Sequence, residues 1–258
     1  MWCRRLRGAD LAKEAGDISM RVEVLVFEGC PHADAALALV TEIVARLAPG
    51  ASVNRIDVDT PEKAAELGFL GSPSVRINGR DIELRTSSRG ALCCRTYAGE
   101  GVPPEWMVEA AVLRVLQPEV ILFLCVANSA RSQMAEGIAR SVAPAQVRVA
   151  SAGSRPTQVR PEAIAVLREI GIDISRHRSK AVSEIPADGI DTVITLCGEE
   201  ECPIFTGNVR RLHWGLPDPG AFQGSEEDRL CAFRRTRDEL CRRIEALFTG
   251  GEHTGEPS

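Results

Sequence analysis

The sequence predicts an α/β protein in two parts, the second built on a four-stranded parallel sheet. Three observations carry this. From residue 21 onward, short β-branched runs alternate with longer stretches of helical periodicity, and that alternation implies parallel strands covered by helices. The chain has 258 residues, long for one domain and comfortable for two. Hydrophobic residues make up 44% and charged residues 26%, the balance of a chain that packs a core in water.

The elements follow in order. RVEVLVF (21–27) alternates like a strand. CPHADAALALVTEIVARL (30–47) reads as a helix with proline in its first turn. SVNRIDVD (52–59) is a second strand, and TPEKAAELG (60–68) a short helix with a threonine cap and a closing glycine. GSPSVRING (71–79) and RDIEL (80–84) form a hairpin, 85–103 is a Gly- and Ser-rich loop, and PPEWMVEAAVLRVL (103–116) is a closing helix. Gln117–Glu119 marks the boundary between domains at 21–116 and 119–248. The second domain reads VILFLC (120–125) as a buried strand, SQMAEGIARSVA (132–143) as helix, QVRVASAG (146–153) as strand and RPEAIAVLREIGI (160–172) as amphipathic helix. IDTVITLC (190–197) and VRRLHWGLPDP (209–219) supply two more strands, and SEEDRLCAFRRTRDELCRRIEALF (225–248) is a final helix with acid at its start. Residues 1–20 are expected to be a disordered leader, with Met20 a candidate start, and 249–258 a disordered tail.

Whole-chain properties narrow the function. A formal net charge of -5 provides no general basic field for nucleic acid. No apolar run reaches the roughly 18 residues of a membrane span, and the opening segment lacks the apolar centre of a secretory signal. The nine cysteines (Cys3, Cys30, Cys93, Cys94, Cys125, Cys197, Cys202, Cys231 and Cys241) are odd in number and irregular in spacing, which points to reactive thiols in a reducing, cytoplasmic setting. Cys197 and Cys202 lack the second CxxC or HxxxH that zinc needs, so neither metal nor cofactor is expected. Cys231 and Cys241 are expected to pack within the final helix.

The chemistry concentrates in FLCVANSARSQMAEG (123–137). A strand-to-helix turn aims successive backbone N–H groups into one concavity, and the helix adds its positive end. Val126, Ala127, Asn128, Ser129, Ala130, Arg131 and Ser132 would thus seat a tetrahedral oxyanion, with the planar fork of Arg131 closing it. The same field should turn Cys125 into a thiolate. Asn128 suits a left-handed position in the turn, and the hydroxyls of Ser129 and Ser132 could reach the sulfur.

With CVANSARSQMAEG come SAGSRP, GIDISRHRSK, VITLCGEEECP and HWGLPDP, and together they resemble the thioredoxin-coupled arsenate reductases, which share the fold of low-molecular-weight protein tyrosine phosphatases. The resemblance runs from Val120 to the last helix. It implies that Cys125 attacks arsenate, that Arg131 holds the oxyanion, and that Asp218 protonates the departing oxygen. It also implies that Cys197 attacks the sulfur of Cys125, that Cys202 then attacks Cys197, and that thioredoxin or a low-molecular-weight thiol reduces the resulting disulfide. A helix over 197–202 would hold the two Cα atoms about 9 Å apart, beyond the roughly 7 Å a disulfide tolerates. The GEEE segment must therefore remodel. The alternative from the same resemblance is a phosphomonoesterase, which needs Cys125, Arg131 and Asp218 but not the later thiols. A non-enzymatic binder of metalloid or mercury is a third reading. The single tyrosine, Tyr97, lies outside the domain, so an aromatic mouth for phosphotyrosine is not evident. Some relatives bind a monovalent cation behind the loop; Asn128, Glu136 and Ser151 match that set, but Lys180 stands where an aspartate would, so an ammonium is expected in its place.

In the first half, CPHA at a helix start and GSPSV before a hairpin resemble a thioredoxin-like domain, with Pro73 as its cis-proline. Ala33 stands where a second cysteine would be. Cys30, with Cys93 or Cys94, is the candidate redox group there, and its place at a helix N-terminus should acidify it.

Overall fold

The computed structural model describes residues 20–85, 92–186, 189–198 and 205–248. The expected leader up to residue 19, the tail from 249, most of the GEEE segment and Cys202 lie outside these residues.

The first sheet grows from β1 (Arg21–Val26), whose Val22, Val24 and Val26 alternate onto one buried face. It is followed by α1 (Ala33–Leu47), β2 (Ser52–Asp57), α2 (Pro61–Glu66), β3 (Ser74–Ile77), β4 (Arg80–Asp81) and α3 (Glu105–Leu116). Strand order is β2-β1-β3-β4; β1 runs parallel to β2 and antiparallel to β3. Asn78 and Gly79 both take positive φ, 51° and 78°, which lets two residues join β3 to β4. The helix expected from Cys30 begins only at Ala33. Cys30 N–H bonds Phe27 O at 3.3 Å and Ala33 N–H bonds Cys30 O at 3.3 Å, so residues 27–33 are successive turns.

The second sheet comprises β5 (Val120–Cys125), β6 (Arg148–Gly153), β7 (Thr192–Cys197) and β8 (Arg210–Leu216) in order β6-β5-β7-β8, all parallel. Every residue of β5 is buried, as a central parallel strand requires. Helices α4 (Arg131–Val142), α5 (Pro161–Arg168) and α6 (Glu226–Phe248) complete this half. α5 stops four residues before the expected Ile172, because Gly171 at φ 80° turns the chain and Ile172 N–H returns to Leu167 O at 3.0 Å. No described helix is long and apolar enough to cross a membrane. Cys231 is exposed on α6 rather than packed; Cys241 is half-buried, and burial pushes its thiol pKa up.

One apolar core runs through both halves, joining Val108, Val112 and Leu113 of α3 to Ile121, Trp214 and Leu240. Within it, Trp214 Nε1 donates to Glu109 Oε2 at 3.0 Å, and Arg46 donates to Glu109 Oε1 at 2.8 Å and to Arg211 O at 2.9 Å. Burial raises the pKa of Glu109, and Arg46 opposes that shift.

α5 and α6 are clamped by Glu169, which accepts from Arg234 and Arg237. Those bonds lower its pKa from 4.5 to about 2. The stabilisation is therefore present above about pH 4.5 and disappears as pH falls through about 2. Glu169 is exposed enough for solvent to screen the pair, so Glu169→Gln should cost about 1 kcal/mol or less near pH 7, and clearly less near pH 2. Urea unfolding of both proteins at the two pH values checks this.

Candidate active site

The loop after β5 is shaped by what holds its carbonyls. Backbone N–H groups of Arg155, Thr157 and Arg160 take the carbonyls of Val126 (2.9 Å), Ala127 (3.0 Å) and Ser129 (2.9 Å). Ser179 Oγ and Gln133 Nε2 take that of Asn128 at 2.6 and 3.1 Å. A trans peptide sets each C=O opposite the next N–H. Anchoring these four carbonyls outward therefore turns the amides of Ala127, Asn128, Ser129 and Ala130 the other way, around Cys125. The amide of Asn128 reaches Cys125 Sγ at 3.2 Å. Asn128 takes the left-handed conformation expected of it, φ 45°. No side chain caps α4 at Ala130, so the helix's positive end faces the loop.

Ser132 Oγ lies 2.9 Å from Cys125 Sγ and accepts from Asn128 Nδ2 at 2.8 Å. In the contact between Ser132 and Cys125 either the hydroxyl or the thiol can donate. Asn128 is the hub behind the loop: Nδ2 also bonds Ser151 Oγ at 2.8 Å, while Oδ1 accepts from Gln133 Nε2 at 2.9 Å and Lys180 N–H at 2.8 Å. Ser151 donates to Glu136, whose Oε2 lies 3.2 Å from Lys180 Nζ. A monovalent cation there would need an acceptor where Lys180 brings an ammonium. The residues present do not fit one.

Arg131, 4% exposed, is aimed by backbone carbonyls: Nη1 donates to Leu216 O at 2.9 Å and to Leu196 O at 3.4 Å. Its Nη2 lies 3.6 Å from Asp218 Oδ1, and Gly220 N–H turns that carboxylate at 3.1 Å. The ends of β5, β7 and β8 thus bring Cys125, Arg131 and Asp218 to one edge of the sheet. Cys197 ends β7 beside them but is wholly buried. Cys202 falls outside the described residues. Cys30, Cys93, Cys94 and Pro73 lie in the first half, outside its strands; the Ser72–Pro73 bond is cis.

Sequence reasoning quoted SAGSRP and GIDISRHRSK without assigning them this scaffolding. Arg155, Thr157, Arg160 and Ser179 act through backbone or short side-chain contacts that no residue type advertises. Gly153 was legible only as a small residue. A Cβ there would sit 2.4 Å from Val126 O and 2.8 Å from Asn128 N, so the loop's approach requires glycine.

The chain matches the sequence profile of the family described as "Low molecular weight phosphotyrosine protein phosphatase" over residues 120–254. It is 38% identical to the arsenate reductase of Bacillus subtilis (strain 168) over 139 residues, 53% of this chain and 100% of that protein. Identity to the arsenate reductase of Halalkalibacterium halodurans is 40% over 139 residues, again 53% and 100% of the two chains. A solved structure titled "An arsenate reductase in the phosphate binding state" aligns with a TM-score of 0.44 at 35% identity, covering 50% of this chain and 96% of that one. On the profile match and the cysteine loop it contains, this chain belongs to the low molecular weight phosphotyrosine protein phosphatase family.

Proposed function

We propose that the chain reduces arsenate to arsenite by a relay of three cysteines. The observation that carries the reading beyond the family's phosphatase chemistry is the pairing of β5 with β7. Leu124 stands opposite Thr195, and each strand ends in a cysteine, Cys125 and Cys197. Adjacent strands lie about 4.8 Å apart, so Cys197 ends the strand beside the nucleophile's, one residue past the register position of Cys125. The arsenate reductases at 38 and 40% identity support the same reading.

In this reading the loop amides and Arg131 hold three oxygens of arsenate. Cys125 Sγ forms a bond to arsenic as one As–O bond breaks, and Asp218 gives a proton to the departing oxygen, which leaves as water. Cys197 then attacks Cys125 Sγ. The S–As electron pair stays with arsenic, which leaves as arsenite, and a Cys125–Cys197 disulfide remains. Cys202 attacks Cys197, releasing Cys125, and a thiol donor (thioredoxin or a low-molecular-weight thiol) reduces the Cys197–Cys202 disulfide. Because Cys197 is wholly buried, its attack requires the end of β7 to move.

The first half is read as a thioredoxin-like domain, supported by the β2-β1-β3-β4 order and cis Pro73. Domains at 21–116 and 119–248, a cytoplasmic location, and action on neither nucleic acid nor membrane complete the proposal. The test is arsenate-dependent oxidation of thioredoxin by the parent, Cys197→Ser and Cys202→Ser. Both variants should stop after at most one turnover. If all three proteins turn over equally, the relay is wrong. If the parent only hydrolyses phosphate esters, the chain is a phosphatase.

A further inference from the structure

Asp218 stands just past the end of β8, and the ladder of that strand does not by itself fix where the end lies. Among the described residues β8 is at the edge of its sheet, beside β7. The register slips before the strand finishes. Thr195 faces His213, but Cys197 faces Leu216, so β8 carries one residue more than β7 over this stretch. The extra residue falls at 214–215 and interrupts the pairing as a bulge does. Beyond it, two parts of the site depend on the course of the chain. Leu216 O accepts from Arg131 Nη1 at 2.9 Å, and Asp218 Oδ1 lies 3.6 Å from Arg131 Nη2.

The first half grips β8 at this point. Trp214 is 0% exposed, and its Nε1 donates to Glu109 Oε2 of α3 at 3.0 Å. The other carboxylate oxygen of Glu109 accepts from Arg46 Nη2 of α1 at 2.8 Å. Arg46 also donates to Glu105 at 2.7 Å and, through Nη1, to the backbone of β8 at Arg211 O at 2.9 Å. One connected set of charges thus holds the strand by its backbone and by its indole. Packing alone does not call for it. A buried carboxylate costs desolvation, and an apolar pair of the same shape would fill the space without that cost. What the hydrogen bonds add is direction, since an indole whose N–H is held cannot slide among aliphatic neighbours. The family profile begins at residue 120, so Arg46 and Glu109 lie outside the segment that carries the family's chemistry.

We propose that Glu109 and Arg46 are positioning residues for the reaction, through which the first half sets the course of β8 beyond its bulge and so places Asp218. The choice of arsenate as substrate rests on the function proposed above. Asp218 must come within hydrogen-bond reach of the departing oxygen to protonate it, and a misplacement of about 1 Å costs roughly 100-fold. The loop around Cys125 is held instead by Arg155, Thr157, Arg160, Ser179 and Gln133, none of them on β8. Anion binding should therefore change little when β8 is released.

The experiment uses the full chain and reads the single-turnover rate of arsenite formation, so that slow variants are measured. Trp214→Phe removes the indole donor while Glu109 keeps Arg46. Glu109→Leu removes the acceptor while Arg46 keeps Glu105. Circular dichroism verifies folding, and either variant carries the test if the other fails to fold. Each should slow the reaction about 10-fold or more, with the Kd for inorganic phosphate within about threefold of the parent. Glu109→Gln, whose amide oxygen can still accept from the indole, should lose less than about threefold. A cycle with Asp218→Asn separates positioning from general loosening. In that background Trp214→Phe should cost less than about twofold, because two changes to one interaction do not add. An equal loss in both backgrounds, or a parental rate in Trp214→Phe and Glu109→Leu, overturns the proposal. A parent that does not reduce arsenate faults only the function. The same cycle is then read on hydrolysis of phenyl phosphate, whose poor leaving group needs the acid, and the same outcomes decide.

Discussion

A Cys125→Ser variant will lose arsenate turnover altogether, and any phosphate-ester hydrolysis with it. Serine is almost isosteric here, so Asn128 N–H and Ser132 Oγ, 3.2 and 2.9 Å from the sulfur, keep a partner and the fold is undisturbed. What changes is the nucleophile. The loop is arranged around a sulfur nucleophile and holds no base that could deprotonate a serine hydroxyl. Oxyanion binding should survive, because the amides of Ala127–Ala130 and the guanidinium of Arg131 remain. Equilibrium dialysis with phosphate should give a Kd close to that of the parent, while arsenate-dependent thiol oxidation falls below detection. Turnover within a factor of about ten of the parent, little more than 1 kcal/mol in the barrier, would assign the chemistry to another sulfur.

The second large effect is expected at a residue that never touches substrate. Gly153→Ala places a methyl group 2.4 Å from Val126 O and 2.8 Å from Asn128 N. Both are backbone atoms, so no rotamer relieves the clash. Either β6 or the loop must shift, and overpacking of this kind costs about 1–3 kcal/mol. Displacing the loop by about 1 Å misaligns amides, sulfur and Arg131 together, which should cost roughly 100-fold in kcat/KM. Gly50→Ala is the control, since nothing lies within 4 Å of a Cβ there and its backbone needs no positive φ. Denaturant unfolding and steady-state kinetics on both variants test the argument. A Gly153→Ala enzyme with parental kcat/KM would show that the loop's position does not set the rate.

Much of this site was legible because its chemistry is tied to residue type. A cysteine at the end of an apolar strand, an arginine at the following helix start, and an asparagine between them each have few substitutes, and each stands where periodicity put it. The Asp-Pro element was legible as the loop after β8, whose Leu212, Trp214 and Leu216 alternate onto a buried side and which ends just before Pro217. The rest was hidden for physical reasons. Carbonyl anchors such as Arg155 N–H and Thr157 N–H use the backbone, which every residue has. The first turn of α1 was misplaced because proline at position 31 suits either a helix start or a turn, and the backbone bonds of Cys30 decide for the turn. Burial of Cys197 and exposure of Cys231 depend on how strands and helices pack, which alternation alone does not fix.

Glu109, Arg46 and Trp214 have a consequence for anyone who would shorten this chain. Cutting at residues 117–119 would uncover an indole that is 0% exposed and part it from the Glu109 carboxylate, which stays with Arg46 on the other fragment. Trp214 lies only four residues before Asp218, so the wound would open beside the acid itself. The halves are not beads on a string: whichever fragment is expressed alone inherits a raw hydrophobic scar, and the catalytic one would have to heal it before it could work.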